Sequence, residues 1–157
     1  MKKACLLAVA GMTICAVASA ADNPFSQFKG KMKPGLYEYR MEMDMSGMKG
    51  MPPGMGKMTP PPFSKCLTQE DIDKGQMGRG REGKASENCE VSNFKMSGNT
   101  ATYTMTCTKP KKMTADNKVT FTSDGYKIDI KMAMDQGGQM VDMNQHMESR
   151  YLGECNK

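Results

Sequence analysis

Between Val119 and Met147, apolar residues fall at alternate positions on either side of two short turn signals, Asp124-Gly125 and Gly137-Gly138. A period of two sends successive side chains to opposite faces of an extended chain, so each arm reads as a strand with one apolar face. A two-residue turn at Asp124-Gly125 predicts Phe121 opposite Ile128 and Val119 opposite Ile130. A turn at Gly137-Gly138 predicts Met134 opposite Val141, Met132 opposite Met143 and Ile128 opposite Met147. Both turns put Ile128 on the same face, so the two hairpins share one sheet surface.

The rest of the chain carries similar signals. From Gly35 to Met45 the residues Tyr37, Tyr39, Met41, Met43 and Met45 share one side while Glu38, Arg40, Glu42 and Asp44 share the other, which predicts a half-buried strand. Gly and Pro interrupt residues 46–62 so often that this stretch is expected to be a long loop without a ladder. A short strand is expected around Phe63 to Leu67, then a turn or two of helix over Gln69 to Lys74, with Thr68 and Asp71 as its capping pair. Gly75 to Lys84 reads as a second loop. Together these signals predict a mainly β chain: an antiparallel meander of about six to seven strands, forming a curved sheet or an open barrel.

Compartment follows from the first residues. Lys2 and Lys3, the apolar stretch Ala4 to Val17 and the small residues Ala18-Ser19-Ala20 form the pattern of a secretory signal peptide cleaved after Ala20. The apolar stretch is too short to span a bilayer, no second one follows, and Ile14 before Cys15 does not suit lipoprotein processing. Residues 21–157 are then the length of one ordinary domain. Its 20 basic residues against 17 acidic ones are too evenly balanced to argue for nucleic acid.

Cys66, Cys89, Cys107 and Cys155 remain beyond residue 20. Their wide spacing, with no C-x-x-C, points in an oxidising compartment to two disulfides rather than a metal site or a reactive thiol. The run between Cys89 and Cys107 admits two registers. A three-residue loop at Ser97-Gly98-Asn99 sets Cys89 opposite Cys107 and Val91 opposite Met105, leaving Cys66 for Cys155. A two-residue turn at Gly98-Asn99 pairs Phe94 with Tyr103 and sends the two cysteines to opposite faces. The first register is the expectation, since it lets a disulfide close.

The chain contains 19 Met, of which only Met1 and Met12 precede residue 21, against three each of Leu, Ile and Val beyond it. Methionine is therefore expected to be the principal aliphatic core residue, on the strands at Met41, Met43, Met45, Met132, Met134, Met143 and Met147. Where such a face stays open it suits varied apolar ligands. In the 46–62 loop no core demands Met48, Met51, Met55 and Met58, and their soft thioethers form a candidate site for Cu(I) or Ag(I), against the repulsion of Lys49 and Lys57. The single histidine, His146, falls on the polar side of its strand. One histidine without a nucleophile motif, and carboxylates at turns and strand edges, argue against catalysis and give no catalytic residues. The expected function is a non-catalytic periplasmic module without a resident cofactor, taking a small apolar ligand or an envelope partner, with copper binding by the loop as the alternative.

Lys33-Pro34-Gly35-Leu36-Tyr37-Glu38, Lys65-Cys66-Leu67-Thr68, Cys89, Gly98-Asn99, Cys107 and Leu152-Gly153-Glu154-Cys155 together resemble the bacterial exported family grouped as domain of unknown function 3617. The likeness spans Lys33 to Cys155. That family usually has Trp where Tyr37 stands, a change that leaves the strand and its burial intact. The resemblance implies an envelope location and a β-rich fold, and it implies no activity.

Overall fold

A computed structural model describes residues 23–48, 50, 52, 56–77, 88–109 and 111–155; the signal-peptide pattern lies outside them. A short 3-10 helix, Pro24–Phe28, leads into β1 (Gly35–Asp44), β2 (Lys57–Met58), β3 (Phe63–Leu67) and helix α1 (Gln69–Asp73). β4 (Cys89–Ser97), β5 (Thr100–Cys107), β6 (Met113–Phe121), β7 (Gly125–Gln136) and β8 (Gln139–Gly153) follow. The named strands pair antiparallel in one open sheet ordered β2-β1-β8-β7-β6-β5-β4, with β3 on the same edge of β1 as β2. Consecutive strands from β4 to β8 are neighbours, as short turns require; β1 closes back onto β8. The mainly β, single-domain expectation holds.

Gly137 and Gly138 both have positive φ, as a two-residue hairpin turn of this hand requires, and Met134–Val141, Met132–Met143 and Ile128–Met147 face each other. The preceding hairpin differs from its expected register. Val119 faces Ile128 and Phe121 faces Tyr126, so the turn lies over Ser123-Asp124 and Gly125 belongs to β7. The reason is close approach rather than backbone hand: a Cβ on Gly125 would overlap the carbonyl oxygen of Ser149 on β8. The shift is by two residues, so every side chain keeps its expected face.

At the β4–β5 hairpin both candidate registers are present. Ser97–Thr100 and Met96–Ala101 pair around a two-residue Gly98-Asn99 turn, while Ser92–Thr104, Val91–Met105 and Cys89–Cys107 follow the other register. A bulge at Asn93, the one non-glycine with positive φ among the described residues, absorbs the extra residue. The disulfides join Cys89 to Cys107 and Cys66 to Cys155.

Two local expectations meet the structure differently. Thr68 caps α1 through a reciprocal box with Asp71, as the sequence predicts. The 46–62 stretch, expected to be loop throughout, contains β2: Lys57 and Met58 pair with Asp44 and Met43. Lys57-Met58-Thr59 is a short run without Gly or Pro, and that suffices for two ladder residues beside a strand already in place.

The core also differs from expectation. Phe28, Tyr37, Tyr39, Phe121 and Tyr126 are buried on the sheet's inner face, together with Leu67, Ile72, Val119 and Ile128. Phe28 packs on Phe121 with ring centroids 5.0 Å apart, and Phe25 meets Tyr103 at 5.3 Å. The Tyr126 hydroxyl donates to that of Tyr39 at 3.0 Å. Of the seven strand methionines expected in the core, only Met147 is buried; Met41, Met43, Met45, Met132, Met134 and Met143 are partly exposed. Rings fill volume with two torsions where methionine needs three, and they take the part of the face that the two short helices cover.

Candidate functional site

The inner face changes character along the strands. In the register of β5, β6 and β7, Ala115 lies between Met105 and Met132, and Met143 follows on β8. In the adjacent row Tyr103 pairs with Asn117, Asn117 with Ile130 and Ile130 with Gln145. Alanine reaches no further than its methyl group, so the long side chains around it leave a hollow.

That hollow is a cavity of about 180 Å³ lined by Met105, Met113, Met132 and Met147, by Ile128, Ile130, Tyr103 and Ala115, and by the amides Asn117 and Gln145. Gly75 and Met77, from the chain leaving α1, complete its wall. A cavity of roughly 150 Å³ with apolar walls is known to hold benzene or xenon, so the volume suits a small apolar molecule. Asn117 is buried and its side-chain amide donates to the Ala115 carbonyl at 2.9 Å, which fixes the amide at the wall. The side chains lining this hollow are uncharged. Its chemistry is therefore accommodation of apolar or soft groups, with two amides available to orient a single polar atom.

Asn117 and Gln145 received no role from the sequence. Their signal was present: each interrupts an apolar period-two register, Asn117 between Ala115 and Val119, Gln145 between Met143 and Met147. A polar residue on a buried strand face needs a partner or a function.

The loop methionines are not gathered by anything described. Met58 lies in β2 opposite Met43 and is exposed, Met48 follows the end of β1, and Met51 and Met55 lie outside the described residues. On the outer face, His146 meets Asp129 through Nδ1 at 2.7 Å and Glu148 through Nε2 at 3.4 Å, while Lys127 Nζ holds Glu148 at 2.6 Å. The Asp129 hydrogen bond raises the imidazole pKa above its ordinary value against the opposing effect of partial burial. Lys127 and then His146 lower that of Glu148. This chain of partly exposed ion pairs crosses β7 and β8 as a solvated surface network, consistent with the polar placement of His146.

Among the described residues no three of His, Cys, Asp and Glu come together as a cation-binding group, and no helix is long and apolar enough to cross a membrane. No curated protein and no solved structure matches the chain. The family described as "Protein of unknown function (DUF3617)" matches residues 32–155, which takes in the eight strands and two disulfides of the described residues, and the chain belongs to that family.

Proposed function

We propose that this protein is an exported, non-catalytic binding module whose methionine-lined cavity takes a small apolar ligand. The observation that carries the reading is the cavity itself: flexible thioethers and two isoleucines around Ala115, uncharged walls, and two amides set into them. Methionine torsions let such a wall adapt to ligands of different shape without breaking the sheet that bears them. The basic and apolar segments before Ala20 support export, and so do two disulfides, which persist in oxidising compartments.

Benzene and toluene titrated into protein carrying 13C-labelled methionine methyls test the ligand. Saturable shifts are expected at Met105, Met113 and Met132, and smaller ones at Met58 and Met140, which are exposed away from the cavity. Shifts spread evenly over all methyls would reject the cavity as a binding site. Intact mass of protein recovered from a bacterial envelope tests export: the chain is expected to start at Ala21, and an uncleaved N-terminus would overturn this.

A further inference from the structure

The same cavity has a second chemical property, which rests on its being open to ligands, as in the reading above. Met105 and Met132 approach Ala115 from the two neighbouring strands, and Met113 stands two residues along β6 on the same face. Strand spacing puts the backbones of Met105 and Met132 about 10 Å apart, with Met113 about 7 Å from Ala115. Three long, flexible side chains thus surround one small residue, and all three line a space of about 180 Å³. Met77 and Met147 line it as well.

Thioether sulfur is a soft, neutral donor that selects Cu(I) and related ions over hard divalent cations. The uncharged lining contributes no lysine or arginine to repel a cation and no carboxylate to offset the desolvation of a divalent one. Of the loop set, the described members Met48 and Met58 do not share a strand face. We infer that Met105, Met113 and Met132, converging over Ala115, form a binding site for a soft monovalent cation, Cu(I) or Ag(I).

Ag(I), a redox-inert probe, is titrated into the purified disulfide-bonded protein carrying 13C-labelled methionine methyls, at pH 7 and pH 5. One equivalent is expected to move the methyls of Met105, Met113 and Met132, with affinity held within about twofold between the two pH values, because thioethers carry no proton to compete with the metal. The triple variant Met105→Leu, Met113→Leu, Met132→Leu keeps apolar volume and is expected to lose at least about tenfold in affinity. Shifts confined to Met48, Met51, Met55 and Met58, absence of a bound equivalent, or equal affinity in the variant would overturn the inference. If the triple variant does not fold, the wild-type methyl shifts alone decide. Toluene binding without Ag(I) binding removes this inference and leaves the apolar-ligand reading standing; Ag(I) binding without toluene binding does the reverse.

Discussion

The two ends of the inner face share strands β6 and β7 yet solve burial differently. At one end, Tyr37, Tyr39, Phe121 and Tyr126 pack with Phe25 and Phe28 from the 3-10 helix and with Ile72 of α1. At the other, Met105, Cys107 and Ala115 are buried while Met113, Ile130 and Met132 pack partly exposed around the cavity. The aromatic end has rings in mutual contact and a hydroxyl pair inside it. The methionine end has a hollow. A well-filled end can hold the fold while a loosely filled one stays adaptable, and this division of labour is what the comparison teaches.

Each end carries one disulfide, and the largest expected effects come from removing them. Cys66–Cys155 joins residues 89 apart, while Cys89–Cys107 spans 18. Chain-entropy reasoning gives a loss of about 4–5 kcal/mol for Cys66→Ala with Cys155→Ala and about 3 kcal/mol for Cys89→Ala with Cys107→Ala. Urea denaturation of the two double variants checks the order. A larger loss from the shorter link would show that the methionine end contributes more to the fold than its packing suggests.

Tyr126 has no exposed surface, so Tyr126→Ala is expected to cost about 3–5 kcal/mol. Met132→Ala, at a half-buried wall position, is expected to cost no more than about 2 kcal/mol. Equal losses on denaturation would break the comparison.

Two glycines sharpen it at the backbone. Gly125→Ala forces a methyl onto the Ser149 carbonyl and is expected to cost about 1–3 kcal/mol. Gly138→Ala meets open space and pays only for its positive φ, about 1 kcal/mol. Thermal unfolding of the pair measures the difference, and a costlier Gly138 variant would contradict the close-approach account of Gly125.

The smallest effect is on the outer face. Because the folded-state pKa of His146 is raised, its stabilisation is fully present below the ordinary histidine value of about 6.5 and is lost as pH rises through the folded value. With the side chain 39% exposed, the gain stays below about 1 kcal/mol. His146→Asn is expected to remove this slope between pH 5 and pH 8 in a denaturation series; an unchanged slope would assign it to another group.

Much of the sheet was legible before its structure. The Gly137-Gly138 register follows from local chemistry, because two adjacent glycines admit the positive φ pair and the apolar alternation on both arms agrees. The Thr68–Asp71 cap is likewise a matter of four consecutive residues. Misreadings arose where a residue answered to a distant strand. Gly125 looked like a turn glycine until β8 lay against it, and the two registers of the β4–β5 hairpin looked exclusive until Asn93 bulged between them. Of the candidate site, Met132 and Met147, and Met105 through its pairing with Val91, were legible as face residues, but Met113, Met77, Asn117 and Gln145 were not, since a cavity wall collects residues from separate strands and from the segment after α1.

The sequence by itself determined the antiparallel strands other than β2, their apolar faces, the α1 cap and the family, because these depend on neighbours along the chain or on one short turn. Only the tertiary structure decided which end of the inner face is filled. Phe25 and Phe28 lie outside the sheet in sequence and reach Tyr103 and Phe121 through packing alone, and the space they do not occupy becomes the hollow around Ala115. Strand alternation says which side a methionine faces; whether anything lies against it there depends on residues far away in the chain, and local periodicity carries no information about them.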